Sequence, residues 1–318
     1  MRGRLNPASP RVVLIVGAGS GIGLAAAVAF AARADKLVLV SRSPEALDAA
    51  EAACRRAGAD VVDTQAEDIG DPAAAGRIVA RTLDRHGRLD VVVHTAAVMG
   101  YGGVEELPPD VFTAVVDTAV HGTLYLARAV LPVLRAQHAG TFIGVNSLLG
   151  SVTVPRMGAY AVSKWGQRAL LRTLQQETRD APGVSVCIVS PGSINTPIYY
   201  QAANYTGRAA RPPWPVLAPE RVAAVITRLA DRPRRHVSVP VGPGNPLIIA
   251  GFRLLPLLYD RLVGPLLRLA VLTRVRLPPT PGTVHRPAPE HERMHGHWPE
   301  PTGEQAKTTA VDAPVASS

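Results

Sequence analysis

The chain has 318 residues, 47% of them hydrophobic and 19% charged, which is enough to bury a substantial core and excludes a disulfide-stapled miniprotein or a wholly unfolded chain. Its only cysteines, Cys54 and Cys187, form no framework and no zinc-type spacing, which fits a reducing cytoplasm. The net charge of +9 is concentrated late: from Arg232 to Arg276 eight arginines face one acid, Asp260, a local balance of +7. With 4% aromatics and no basic patch interleaved with rings, nucleic-acid binding is not expected.

Residues 1–10 read as an N-terminal arm without the apolar stretch of a secretory signal. From there short β-branched runs alternate with alanine-rich stretches, the pattern of a parallel sheet with crossover helices. The predicted strands are Val12–Val16, Leu37–Val40, Val61–Thr64, Val91–Thr95, Thr141–Asn146, Val184–Val189 and His236–Val239. The predicted helices include Gly21–Ala34, Pro44–Ala57, Pro72–His86, Pro109–Gln137 and Gly158–Asp180, several with proline in the first turn. Seven strands covered by helices make a doubly wound, Rossmann-type α/β fold over residues 11–245.

The first strand runs into Gly17-Ala18-Gly19-Ser20-Gly21-Ile22-Gly23, which fits GxxxGxG at Gly17, Gly21 and Gly23 and fails GxGxxG because Ile22 stands at the last position. Such glycines let backbone approach a pyrophosphate at a helix N-terminus, although similar loops also serve only to pack a helix. The second strand ends in Ser41 and Arg42, where an NAD-selective site places an acid. A guanidinium there pairs with a 2′-phosphate, so NADP(H) is favoured and NAD(H) is the alternative; the plain reading is a solvated loop charge. Asp68, after the third strand, either accepts from an adenine amino group or caps the helix expected at Pro72.

Downstream, Tyr160 and Lys164 stand four apart on one helix face. A phenol with a pKa of ~10 is a poor base at neutral pH, and a neighbouring ammonium favours its phenolate. The chain holds three lysines against 31 arginines, so a lysine at this spacing is informative. Ser147, at the end of a strand, supplies a hydroxyl to hold a substrate carbonyl.

On these motifs the chain resembles the short-chain dehydrogenase/reductases of the ~250-residue type over about residues 10–240. The resemblance implies that Gly17, Ser20, Gly21, Ile22 and Gly23 cradle the cofactor, with Ser41, Arg42, Asp68 and Ala96 on its adenosine side. It further implies that Pro191, Gly192 and Thr196 form the nicotinamide-side loop, that Tyr160 moves the proton, that Lys164 holds the nicotinamide ribose and that Ser147 orients the carbonyl. Two departures stand out. His94-Thr95-Ala96-Ala97 replaces the family's usual Asn-Asn-Ala-Gly, and Ala119 replaces an asparagine that anchors a water in the proton relay to the lysine, leaving water or Thr118 as substitutes.

The resemblance also implies a mobile lid over about 197–218, where Tyr199, Tyr200, Tyr205 and Trp214 supply four of the chain's fourteen aromatics. These either pack the lid on its own domain or line a pocket for a lipophilic ketone, alcohol or aldehyde. Residues 246–277 form an apolar, basic extension, kinked at Pro256 and Pro265, that meets a membrane surface, a sister subunit or its own domain. Residues 278–318 are expected to be a disordered tail, and its histidines 285, 291, 295 and 297 are assigned no function and no metal. The reading is an NAD(P)(H)-dependent oxidoreductase, for which the resemblance also implies a homo-oligomer formed through the two long helices; the alternative is a catalytically weak nucleotide-sensing or scaffold protein.

Overall fold

The computed structural model describes residues 10–233, 238–242 and 244–298. Seven parallel strands form one sheet: β1 (Val12–Val16), β2 (Lys36–Ser41), β3 (Val62–Ala66), β4 (Val91–His94), β5 (Gly140–Val145), β6 (Val184–Pro191) and β7 (Ser238–Val241). Their order is β7-β6-β5-β4-β1-β2-β3, so the winding direction reverses between β1 and β4, where doubly wound sheets open a crevice for ligands. The expected strands all appear within two residues of their bounds; of the seventh, His236 and Val237 lie outside the described residues.

Alternation along β1 shows how the sheet is buried on both faces. Val13 and Ile15 point into one cluster with α1 (Gly21–Ala31), while Val12, Leu14 and Val16 point into the other with α3 (Ala74–His86). α2 (Pro44–Arg56) starts with Pro44 in its first turn and Ser43 as its cap, the Ser43 hydroxyl oxygen accepting from Ala46 N at 3.0 Å. α3 begins at Ala74 rather than Pro72, and Asp71, not Asp68, accepts from Ala73 N at 3.0 Å at its entrance.

The single long helix expected over Pro109–Gln137 is α4 (Pro109–Val116), a π-turn at Asp117–His121 and α5 (Gly122–Ala136). Thr118 and Thr123 donate back to the carbonyls of Ala114 and Ala119, at 2.9 and 2.6 Å, which diverts backbone acceptors at this wider turn. α6 (Gly158–Glu177) follows β5, and α7 (Pro219–Asp231) leads to β7.

The extension is a helical hairpin, α8 (Asn245–Leu254) and α9 (Pro256–Ala270), broken at Leu255; Pro265 lies inside α9. Leu272–Arg276 then pairs antiparallel with Arg208–Ala210 of the lid, so the extension packs on its own domain. No helix among the described residues is long and apolar enough to cross a membrane. Of the tail expected to be disordered from residue 278, residues 278–298 instead run back across the domain as a strap, with Val284 only 2% exposed; 299–318 lie outside the described residues. Proline and charge there read as disorder because the strap is held chiefly by backbone groups, which composition does not reveal.

Phe30 of α1 is fully buried against the sheet. Phe30→Ala is expected to lower unfolding stability by about 3–5 kcal/mol in urea titrations, through lost burial and a residual cavity.

Candidate active site

The crevice at the C-terminal ends of β1, β2 and β4 is walled by the glycine loop, Ser41, Arg42, Asp68, Ala96 and Thr196. Two glycines hold left-handed backbone, Gly17 at φ +89° and Gly21 at φ +51°. A Cβ on Gly23 would overlap the Gly17 carbonyl oxygen, and one on Gly17 would stand 2.6 Å from Ala96 N, so the loop is pressed onto the end of β4. Thr95, not singled out from sequence, locks that contact by donating to Val16 O at 2.8 Å. Ser20 caps α1 with its backbone, its carbonyl accepting from Leu24 N at 3.1 Å, and Ile22 lines the same wall. The backbone cradle at a helix N-terminus suits the pyrophosphate of a nicotinamide dinucleotide.

Asp68 lines the crevice, its Oδ1 accepting from Gly70 N at 2.9 Å and its Oδ2 standing 3.9 Å from Arg42. Pro191 ends β6 and Gly192 follows it, both outside the wall of this crevice, with Gly192 N donating to Val241 O at 2.9 Å. Thr196 places its methyl group against Gly21.

Ser147, Tyr160 and Lys164 come together at the end of β5 and the start of α6. Ser147 caps the short turn that follows it, its Oγ accepting from Leu149 N at 3.1 Å. Burial pushes the Tyr160 phenol up to about 12, against a lowering by its hydrogen bond with Ser147. The downward pull expected from Lys164 is not what dominates, because burial brings the lysine itself down to about 7. Lys164 Nζ stands 5.7 Å from the centre of the Tyr160 ring and donates to Val145 O at 3.2 Å and to Gln167 Oε1 at 3.0 Å.

Gln167 was missed from sequence, although it lies one helical turn beyond Lys164. Its amide donates to Thr123 Oγ1 at 3.1 Å, and Thr123 donates to the Ala119 carbonyl. Asn146 Nδ2 donates to Gln167 Oε1 and to Lys164 O, at 3.0 and 2.9 Å. The lysine's amide partner therefore comes from its own helix, while Ala119 contributes a backbone carbonyl through Thr123. Thr118 does not stand in, since its hydroxyl is turned back to Ala114 O. His94 is fully buried, and among the described residues neither its ring nitrogens nor Asn146 Oδ1 has a hydrogen-bond partner. Burial, then the field of Lys164, pushes the imidazole down to about 3, so it is neutral at physiological pH.

The far side of Tyr160 is apolar. Met99, Tyr101 and Met157 share one cluster with Tyr160, Ile198 and Tyr199, and Leu267 of α9 and Val271 just after it join it. Of the lid aromatics, Tyr199 packs edge-on to Trp298 of the strap, Tyr200 packs against His291 and His297, and Trp214 is 76% exposed. The remaining tail histidines pair singly, His295 with Glu220 and His285 with Asp110.

The family model described as short chain dehydrogenase matches residues 11–204. This chain belongs to the short-chain dehydrogenase/reductase family. Sepiapterin reductase of Chlorobaculum tepidum is 30% identical over 233 residues, covering 71% of this chain and 92% of its own. A metagenomic short-chain oxidoreductase in complex with NADP superposes with a TM-score of 0.62 at 27% identity, covering 74% of this chain and 99% of the other. A short-chain dehydrogenase of Mycobacterium paratuberculosis bound to NAD gives 0.65 at 25% identity, covering 76% and 99%. The chain is thus an oxidoreductase of the nicotinamide-dinucleotide-dependent type.

Burying Lys164 has a consequence for stability. Below about pH 7 both folded and unfolded states are protonated and the folded chain carries the full cost of a buried ammonium. Between there and the unfolded lysine's ~10.4 the unfolded chain holds the extra proton, so the cost fades as pH rises. In paired urea titrations of the native chain and Lys164→Met, the stability difference is expected to move in favour of the native chain from about pH 6 to about pH 10; a difference independent of pH would contradict the buried ammonium.

Proposed function

We propose that this enzyme interconverts a carbonyl and an alcohol on a lipophilic substrate, with Tyr160 as the proton-transferring group. The observation that carries this reading is the position of the phenol: partly buried beside Lys164, bonded to Ser147 and packed against an apolar cluster that includes Leu267 and Val271 of the extension. A bound nicotinamide dinucleotide supplies or accepts the hydride. Gly17, Gly21 and Gly23 shape the backbone cradle for it, and Asp68, Ala96 and Thr196 stand along the same crevice.

In the reducing direction, Ser147 Oγ donates to the substrate carbonyl oxygen, and Tyr160 Oη gives that oxygen its proton as it turns into an alcohol. A phenol held at about 12 is protonated at neutral pH, which suits the site to carbonyl reduction. Lys164 is held beside the phenol by Val145 O and Gln167, and Gln167 is held in turn by Thr123. The apolar cluster favours a bulky, weakly polar substrate and excludes water from the proton transfer. Relatives carrying the name reductase support the same direction.

The test is oxidation of NADH and of NADPH by the purified chain across steroid, retinoid, long-chain acyl and aromatic carbonyls. Turnover of at least one lipophilic carbonyl is expected, falling about 100-fold or more in Tyr160→Phe. Dinucleotide binding without turnover in either direction would contradict the reading and favour a nucleotide-sensing protein on the same fold.

A further inference from the structure

We propose that Glu292, carried into the crevice by the C-terminal strap, reads the unphosphorylated ribose of the adenosine half and makes this chain NAD(H)-preferring. The proposal rests on the crevice being a nicotinamide-dinucleotide site. An NAD-selective sheet of this kind carries an acid at the end of its second strand, to accept from the ribose hydroxyl. β2 ends at Ser41, is followed by Arg42 and has no such acid of its own. The strap provides one at the same place. From the point where a Cβ on Gly19 would stand, Glu292 Oε2 is 2.7 Å away and Ser41 Oγ 2.8 Å.

The strap is fastened on both sides of that acid. Thr283 N donates to Gln201 O at 2.8 Å; beyond Glu292, Gly21 N donates to Arg293 O at 3.0 Å and Gly296 N to Asn195 O at 3.2 Å. Thr283 and Glu292 line the crevice together with Ser41, Arg42 and Asp68, and Arg293 O takes the Gly21 amide at its edge.

Arg42, the residue that argues for a 2′-phosphate, is already engaged. Its guanidinium donates to Val284 O at 2.8 Å and to Thr283 O at 2.7 Å, and Asp68 stands 3.9 Å away. A phosphate dianion at this edge would meet the carboxylates of Glu292 and Asp68 with the Arg42 guanidinium already shared. A ribose diol, in contrast, offers Glu292 the donors it lacks, because among the described residues no protein group hydrogen-bonds its carboxylate. Burial raises the Glu292 pKa in spite of Arg42, as expected of a carboxylate short of donors.

The test is calorimetric titration of the full chain with NAD+ and with NADP+. The native chain is expected to bind NAD+ at least tenfold more tightly. Glu292→Gln is expected to shrink that ratio tenfold or more, Glu292→Asp to retain most of it, and the exposed control Glu290→Gln to move it less than threefold. A native preference for NADP+, or a ratio within threefold of native in both Glu292→Gln and Glu292→Ala, would overturn the proposal and leave the dinucleotide site standing. Failure of both dinucleotides to bind would overturn the two together.

An independent observation concerns α8 and α9, and from it we infer that this hairpin seats on an anionic lipid surface. Leu258, Leu262, Leu266 and Leu269 form one exposed ridge along α9, while Leu267 and Val271 on the opposite side pack into the domain. Leu247, Leu254 and Leu257 extend the apolar surface, each at least 75% exposed. Arg261 and Arg268 flank the ridge, and residues 246–277 hold five arginines against Asp260 alone. A second copy seated here would bring like charges together, whereas anionic headgroups neutralise them and the leucines enter the acyl boundary.

Co-sedimentation of the full chain is expected with phosphatidylcholine vesicles containing about 30% phosphatidylglycerol and not with phosphatidylcholine alone. Binding is expected to fall at least tenfold in the Leu262→Ser, Leu266→Ser double variant and in the Arg261→Gln, Arg268→Gln double variant. Equal binding to both vesicles, no binding, or a dimer in sedimentation equilibrium that the leucine changes dissolve would overturn the inference.

Discussion

The buried ammonium of Lys164 is the constraint around which the catalytic end of this molecule is arranged. Its side chain is 1% exposed, and a charge so placed is tolerated only where acceptors are fixed in advance. The Val145 carbonyl at the end of β5 and the Gln167 amide on α6 provide them. Asn146 and Thr123 then orient Gln167, tying β5, α6 and the π-turn region into one polar knot inside an otherwise apolar interior. The knot sets the height at which Tyr160 emerges beside Ser147. The hydroxyls that do the chemistry are thereby held by elements of the sheet and its long helix rather than by loops.

Much of this was legible in the sequence. Gly17, Gly21 and Gly23 declare a close backbone approach because only glycine fits it, and Tyr160 with Lys164 declares a helix face in a chain that otherwise avoids lysine. The strand runs were readable because a parallel sheet buried on both faces needs near-continuous β-branched residues. Gln167 and Thr123 were not readable, since a polar residue within a helix gives no sign of which buried group it meets. Ala119 suggested a broken relay; the structure shows a polar chain routed through Gln167, with Ala119 adding only a backbone carbonyl.

The last part of the chain was the least legible. Proline, histidine and charge over 278–298 predict a solvated tail, yet the strap lies against the crevice. Its fastenings are backbone N–H and C=O groups, together with the donors of Arg42, none of which has a compositional signature. The leucine-rich hairpin before it was recognised as amphipathic, but only the structure shows its division of labour. Leu267 and Val271 join the apolar wall near Tyr160, and the remaining leucines face outward. The extension thus adds to the apolar surroundings of Tyr160 and the strap to the crevice beside Ser41 and Arg42, and both lie beyond the family match at 11–204.

Lys164 is a buried base whose affinity for its proton is weakened by burial. The direct measurement is an NMR pH titration of the full chain labelled at the lysine ε-carbon, with the Lys164 resonance assigned by its loss in Lys164→Met. A midpoint at about 7 is the result predicted. A midpoint in the ordinary lysine range, ~10.4, would contradict it, because an ammonium that titrates there is hydrated and not held in the knot described above.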